Sequence, residues 1–185
     1  MADLFIELFS EEIPARLQID ARKKIKEMLE EKLGKKEINY KSSKSFSTPK
    51  RLVFFIEGIP EKIEKKGQII KGPNIESPEA ALNGFIKSNN LNKSDVYKKK
   101  IEKGEFYFAK TKSKTIDILK ELQFIIPEIL QTYSWRKSMK WSTYDLNWGR
   151  HLKSIAALFN RKIVKFNFFH LNLISLLLFQ YLYYF

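Results

Sequence analysis

The chain has 185 residues, 44% of them hydrophobic, and no cysteine. That length accommodates one medium domain or two small ones. The absence of cysteine excludes a disulfide framework and any thiolate nucleophile, and fits a reducing compartment. The formal net charge is +13, from 34 basic and 21 acidic residues, which points to nucleic acid first and to a membrane surface second. Only six of the basic residues are arginine, and AT-rich coding sequence would produce the same lysine bias. The distribution is more telling. From Leu122 onward the only acids are Glu128 and Asp145, against Arg136, Lys137, Lys140, Arg150, Lys153, Arg161, Lys162 and Lys165. Met1-Ala2-Asp3 lacks a basic leader region, and Glu7, Glu11 and Glu12 interrupt any apolar run, so a cytoplasmic location is expected.

Leu4 to Pro14 reads as a strand turning into a helix. Leu4, Ile6 and Leu8 share one face at period two, and Phe5, Glu7 and Phe9 the other. Pro14 suits a first helical turn, and Glu11 and Glu12 read as carboxylates at the positive end of the helix dipole. The spacing of Leu17, Ala21, Ile25, Met28, Leu29 and Leu33 predicts an amphipathic helix stopped by Gly34. Glu37–Ser47 reads as a strand and Ser47-Thr48-Pro49-Lys50-Arg51 as a turn. Leu52–Gly58 follows as a second strand, with the continuous β-forming run of one buried on both sides. Lys50 and Arg51 beside that turn could grip a phosphate; two solvated charges at a hairpin are the simpler reading.

Ile59–Lys71 reads as an irregular or edge strand, and Lys71-Gly72-Pro73-Asn74 as a turn without the glycine spacing of a phosphate-cradling loop. Ser77-Pro78-Glu79 opens a short helix to about Ser88, with Ser77 as the expected cap. Val96–Ile101 and Glu105–Thr111 around Lys103-Gly104 predict a hairpin. Its interleaved lysines and aromatics suit either a nucleic-acid backbone or an edge protected against pairing. Thr115 is the expected cap of an apolar helix that Pro127 should kink or divide.

Residues 132–150 concentrate aromatics and bases: Tyr133, Trp135, Arg136, Lys137, Lys140, Trp141, Tyr144, Trp148 and Arg150. Phosphate pairing and base stacking would make this stretch an RNA contact, and core packing of the tryptophans is the competing reading. Ser154–Phe169 resembles a strand pair turning at Asn160-Arg161. The apolar terminus, 171–185, approaches the length of a membrane span only by including His170, Asn172, Ser175 and Gln180. No nucleotide-binding glycine motif, zinc motif or nucleophile elbow occurs, and two histidines do not make a zinc site without carboxylates. No catalytic residue and no metal ligand is assigned. The residues therefore predict an α+β fold, with mixed or antiparallel sheet elements, amphipathic helices packed on them, and an apolar tail of no assigned fold. It reads as a binding module more than a catalyst.

Five stretches, in order, resemble the N-terminal part of the bacterial heterotetrameric glycyl-tRNA synthetase β-subunit family. They are Glu7-Leu8-Phe9-Ser10-Glu11-Glu12-Ile13-Pro14, Phe46-Ser47-Thr48-Pro49-Lys50-Arg51-Leu52, Lys71-Gly72-Pro73, Lys103-Gly104-Glu105-Phe106 and Lys137-Ser138-Met139-Lys140-Trp141. Arg150-His151 stands where the family has Arg-Pro. The resemblance covers about residues 3–166 and implies one α+β region over 1–170, with a subdomain split near 72–76 and an unmatched tail at 171–185. The family continues into an HD-type and an anticodon-binding domain, so the resemblance implies a truncated or frameshifted reading frame. It implies an α2β2 assembly with a glycyl-tRNA synthetase α subunit that binds ATP and carries the chemistry. The β subunit would recognise tRNA(Gly) and support assembly, this fragment would be inactive alone, and no membrane role would be needed. The RNA-contact candidates are Lys50, Arg51, Trp135, Arg136, Lys137, Lys140, Trp141 and Arg150. A stand-alone basic RNA-binding module is the alternative.

Overall fold

A computed structural model describes residues 1–65, 67, 69–75, 77–89, 91–101, 104–111, 113–140 and 145–171. The chain divides into two compact units, one built from residues 1–63 and 117–185 and the other from residues 64–116. The unit boundaries fall at 63/64 and 116/117, and residues 72–74 lie within the strand Ile69–Asn74.

The first unit is organised around its opening strand β1 (Ala2–Ser10), the centre of a five-stranded antiparallel sheet. Helix α1 (Ala15–Lys35) follows, then β2 (Ser42–Thr48) and β3 (Arg51–Ile59). After the second unit come α3 (Ile118–Thr132), β9 (Met139–Lys140), β10 (Asn147–Trp148), β11 (Leu152–Phe159) and β12 (Lys162–Ile163). The sheet order is β12-β11-β1-β3-β2. Register explains the core. Leu4, Ile6 and Leu8 lie opposite Ile56, Phe54 and Leu52 on one side and Phe159, Ala157 and Ile155 on the other. All nine are buried. Period-two alternation therefore puts one apolar layer on a single face. Ala21, Ile25, Leu29 and Leu33 of α1 and six apolar residues of α3 are buried as well, and α1 packs against β2, β3 and α3.

Several local expectations are corrected. Leu52–Gly58 is not buried on both sides: Leu52, Phe54 and Ile56 are buried, while Val53 and Phe55 are half-buried. Gly34 lies inside α1. The helix ends one residue later, at Lys35, and just beyond the cap residue Lys36, Glu37 takes the left-handed conformation (φ 60°). Its N–H donates to the Gly34 carbonyl and that of Ile38 to the Leu33 carbonyl, a Schellman closure that glycine usually supplies. No acid lies in the first turn of α1, because Pro14 is the capping residue and Glu11 and Glu12 precede it. Asp117, not Thr115, caps α3, its Oδ1 accepting from the Leu119 N–H at 3.0 Å. Pro127 sits within α3 without dividing it.

The second unit contains β5 (Ile69–Asn74), α2 (Glu79–Ser88), β6 (Val96–Ile101) and β7 (Gly104–Lys110). Strands β4 (Lys62–Lys65) and β8 (Lys114–Asp117) pair where the chain leaves and re-enters the first unit. The hairpin predicted at 96–111 is present, and the three-stranded sheet runs β5-β7-β6, antiparallel. Lys71-Gly72-Pro73-Asn74 is not a turn. It continues β5 through a register shift between Lys71 and Asn74, an irregularity that tolerates a proline without an N–H. Pro78, rather than Ser77, occupies the cap position of α2.

Candidate nucleic-acid interface

At one end of the five-stranded sheet, β1 ends, β2 turns into β3, and β11 begins. Three backbone hydrogen bonds tie these together. The Ser10 N–H donates to the Lys50 carbonyl at 2.9 Å, the Glu11 N–H to the His151 carbonyl at 2.9 Å, and the Ile13 N–H to the Pro49 carbonyl at 2.7 Å. The last residue of β1 and two that follow it thus reach two chain segments about a hundred positions apart. Pro49 and Lys50 form the two-residue turn, with Thr48 and Arg51 already paired in the ladder. Glu11-Glu12-Ile13 makes the bridge between strand and helix, which is why the acidic pair falls outside α1.

The cations at this end differ in how free they are. Arg51 is engaged twice: its Nε is 3.3 Å from Glu7 Oε2 and its guanidinium carbon stands 4.6 Å above the Phe9 ring. Glu7 is the better-shielded partner, 16% exposed against 47% for Arg51. Lys153 Nζ is 3.9 Å from Glu11 Oε1. Arg150 donates from Nη1 to the Gly149 carbonyl at 2.9 Å. Lys50 is exposed and in no ion pair with a described residue. An exposed ion pair contributes about 0.2–1 kcal/mol and a surface cation–π contact about 0.5–1. A hydrogen bond to a charged group contributes about 1.5–3 kcal/mol. Arg51 could therefore turn to a phosphate only by giving up most of what it would gain, whereas Lys50 has no ion pair with a described residue to give up and Arg150, whose charge faces a neutral carbonyl, keeps other N–H donors of its guanidinium for a phosphate. His151 and His170 stack 6.5 Å apart beside this end.

The aromatic stretch is mostly core. Trp135 is 6% exposed and Trp148 1%. Their rings meet edge to face at 5.1 Å, with Tyr133 5.1 Å from Trp135 and Phe168 6.3 Å from Trp148. Gly149 is flush against this cluster: a Cβ there would lie 2.3 Å from Trp135 Cε3. Trp135 therefore offers no open ring face to a base, a correction to its place among the RNA-contact candidates. Burial is the cause, since the indole packs over Gly149 and against the Trp148 ring. Both indole N–H groups lack a hydrogen-bond partner among the described residues. Tyr133 is half-buried. Burial, with a smaller contribution from the Asp20 carboxylate, pushes its phenol up to about 12.

Arg136, Lys137 and Lys140 are all exposed. Arg136 Nη1 is 3.3 Å from Asp20 Oδ2 on α1, and Lys140 Nζ is 3.0 Å from Asp145 Oδ1 across the β9–β10 pair. Trp141 lies outside the described residues. The structure brings Lys50, Arg51 and Arg150 to one sheet end and places Arg136, Lys137 and Lys140 on the stretch that follows α3. Lys153, Glu7 and Glu11 belong to the sheet end too and were not among the RNA-contact candidates. Their signal was the alternation of β1 and β3, which puts Glu7 and Phe9 on the face of Arg51. Among the described residues no group of His, Asp and Glu could hold a metal ion, and no helix is long and apolar enough to cross a membrane.

The result is an α+β chain with antiparallel sheets and a charged sheet end stitched by three separated segments. Comparison with known proteins is specific. The profile described as glycyl-tRNA synthetase beta subunit matches residues 4–176, so that residues 171–176 of the tail expected to be unmatched fall within it. The glycine–tRNA ligase beta subunit of Rickettsia typhi is 37% identical over 172 residues, covering 93% of this chain and 26% of that protein. That of Rickettsia bellii is 37% identical over 171 residues, covering 92% and 26%. That of Paracoccus denitrificans is 37% identical over 158 residues, covering 85% and 23%. The chain belongs to the glycyl-tRNA synthetase beta subunit family. It spans about a quarter of the length of these relatives.

Proposed function

We propose that this chain serves as the N-terminal part of the beta subunit of a cytoplasmic glycine–tRNA ligase. In that role it supports tRNA(Gly) recognition and assembly with an α subunit, as an α2β2 tetramer. ATP and the adenylate chemistry belong to the α subunit, and this chain does not aminoacylate alone. The observation that carries the reading is the family match over residues 4–176. The convergence of the Glu7–Pro14, Phe46–Leu52 and Arg150-His151 stretches at one sheet end supports it. There Lys50 and Arg150 are the cations best able to meet RNA phosphates. Arg51 acts chiefly as a clamp between β3 and β1.

Co-expression with the α subunit of the same organism tests the assembly, and tRNA binding tests the contacts. The expected outcome is co-purification of the two chains, with glycyl-tRNA formed by neither this chain alone nor this chain with ATP. Lys50→Ala and Arg150→Ala should each lower the salt slope of tRNA binding by about 1, the signature of one lost phosphate contact. Failure of the chains to co-purify, or unchanged slopes in both variants, would overturn the corresponding half of the proposal.

A further inference from the structure

The second unit carries a surface that the reading above does not use. In the β5-β7-β6 sheet, directly opposed residues share a face. Tyr97 lies opposite Phe108, and Lys99 opposite Phe106, while Lys71 lies opposite Phe108 and Ile69 opposite Lys110. One face therefore collects Lys71, Tyr97, Lys99, Phe106, Phe108 and Lys110. The opposite face holds the packing: Ala109 is fully buried, and Gly72 lies against the Phe85 ring of α2, where a Cβ would meet Cε1 at 2.9 Å. Helix α2 packs on β5. The aromatic face is thus not the unit's core, yet it carries the rings of Tyr97, Phe106 and Phe108.

Those rings remain accessible. Tyr97 is 42% exposed and Phe106 and Phe108 are half-buried. Tyr97 and Phe108 lie near-parallel, 25° between planes, with centroids 6.2 Å apart. Lys71 Nζ stands 3.6 Å above the Phe106 ring and Lys99 Nζ 6.0 Å above that of Phe108. Lys71, Lys99 and Lys110 are exposed, and none is in an ion pair with a described residue. The register places no carboxylate among them, because Glu105 pairs with Lys100 on the other face. An apolar protein partner would bury three uncompensated ammonium groups here. A polyanion would neutralise them, and one with unpaired bases would also use the rings.

We propose that this open face binds single-stranded nucleic acid, with Tyr97 as the leading stacking ring and Lys71, Lys99 and Lys110 meeting the phosphates. Phe106 and Phe108 alternate along β7, about 7 Å apart, and extend the platform once the Lys71 ammonium moves from its ring to a phosphate. A duplex keeps its base faces stacked internally and offers this surface only its backbone, so unpaired strands bind preferentially. The proposal does not depend on membership of a ligase complex.

The test uses the full 185-residue chain and a labelled short single-stranded RNA, with the matching duplex as competitor, followed by fluorescence anisotropy. Tyr97→Ala should weaken single-strand binding at least about fivefold with little change in salt slope, because a stacking contact is lost. Tyr97→Phe keeps the ring and should bind as the parent does, which separates loss of stacking from misfolding. Lys71→Gln with Lys99→Gln should lower the salt slope by about 1.4, roughly 0.7 per phosphate on a single strand. Lys98→Gln removes a charge from the opposite face, where its ammonium lies 5.9 Å from the Tyr107 ring, and should leave binding unchanged. Equal affinity of Tyr97→Ala and parent, equal binding of duplex and single strand, or equal effects of the Lys98 and Lys71/Lys99 changes would overturn the proposal. Because the probe is neither tRNA nor an α subunit, these outcomes are independent of those for the ligase reading.

Discussion

Tyr133 shows how a single side chain records its surroundings. Its ring lies edge-on to Trp135 and Trp148 at 5.1 and 6.4 Å, and this half-burial disfavours the phenolate. The phenol is held at about 12 in the folded chain against an ordinary value of 10.0. The folded state therefore keeps a proton that the unfolded state loses first. The stabilisation is complete below about pH 10 and is lost as the pH rises towards about 12. Urea denaturation across that window should show stability falling with pH, and Tyr133→Phe should flatten the fall. An unaltered profile in the variant would assign the alkaline loss to other groups. The neighbouring Gly149 belongs to the same cluster, since any Cβ there collides with the Trp135 ring. The sequence marked all these residues as aromatic or small. It did not distinguish an indole facing RNA from one facing a glycine, because that depends on how the segment after α3 folds back on β10.

Among elements, the helix ends were the least readable. Helix α1 was foreseeable from its buried stripe Ala21, Ile25, Leu29 and Leu33, whose spacing no strand could satisfy. Its termini were displaced by competing local bonds. The Glu37 and Ile38 N–H groups reach carbonyls near Gly34 and extend the helix past the expected stop. In α3 the cap moved two residues, from Thr115 to Asp117, because Lys114–Asp117 is engaged as a strand. Asp117→Ala should cost about 0.5–2 kcal/mol of stability, and Asp117→Asn should restore most of it, since an amide oxygen can accept the same Leu119 N–H bond. Chemical denaturation of both variants measures this. If Thr115→Ala proved the costlier change, the cap assignment would fail. Lys32 and Lys36 of α1 and its end pair with Glu128 and Glu121 of α3. Such exposed pairs orient the helices and contribute little to stability.

At the scale of the whole chain, two compact units are interleaved, with residues 64–116 inserted between the halves of the other. All three tryptophans lie outside the inserted unit, so their fluorescence reports on the first unit, whereas far-ultraviolet circular dichroism reports on both. Phe85→Ala removes the ring that packs on Gly72 within the inserted unit. It should lower the midpoint of a dichroism-monitored transition by several degrees and leave the tryptophan-monitored midpoint in place. Midpoints that moved together would show that the units unfold as one. The nested order was not visible in the sequence because both crossings, β4 and β8, are short polar strands. Neither carries the composition shift that marks a linker.

The α+β class, the single-faced core of β1, the buried stripe of α1, the 96–111 hairpin and the family were all legible in the order of the residues. Each rests on periodicity or on short ordered motifs, which are properties of neighbouring residues. Tertiary structure alone decided which charges are free. Lys50, Arg51 and Arg150 are equal as letters. In the fold Arg51 is held by Glu7 and Phe9, while Lys50 at the turn is in no ion pair with a described residue. Strand register decided likewise that Tyr97, Phe106 and Phe108 share a face with Lys71, Lys99 and Lys110, and with no carboxylate among the described residues. Such selections depend on contacts between residues distant in the chain, and no local pattern encodes them.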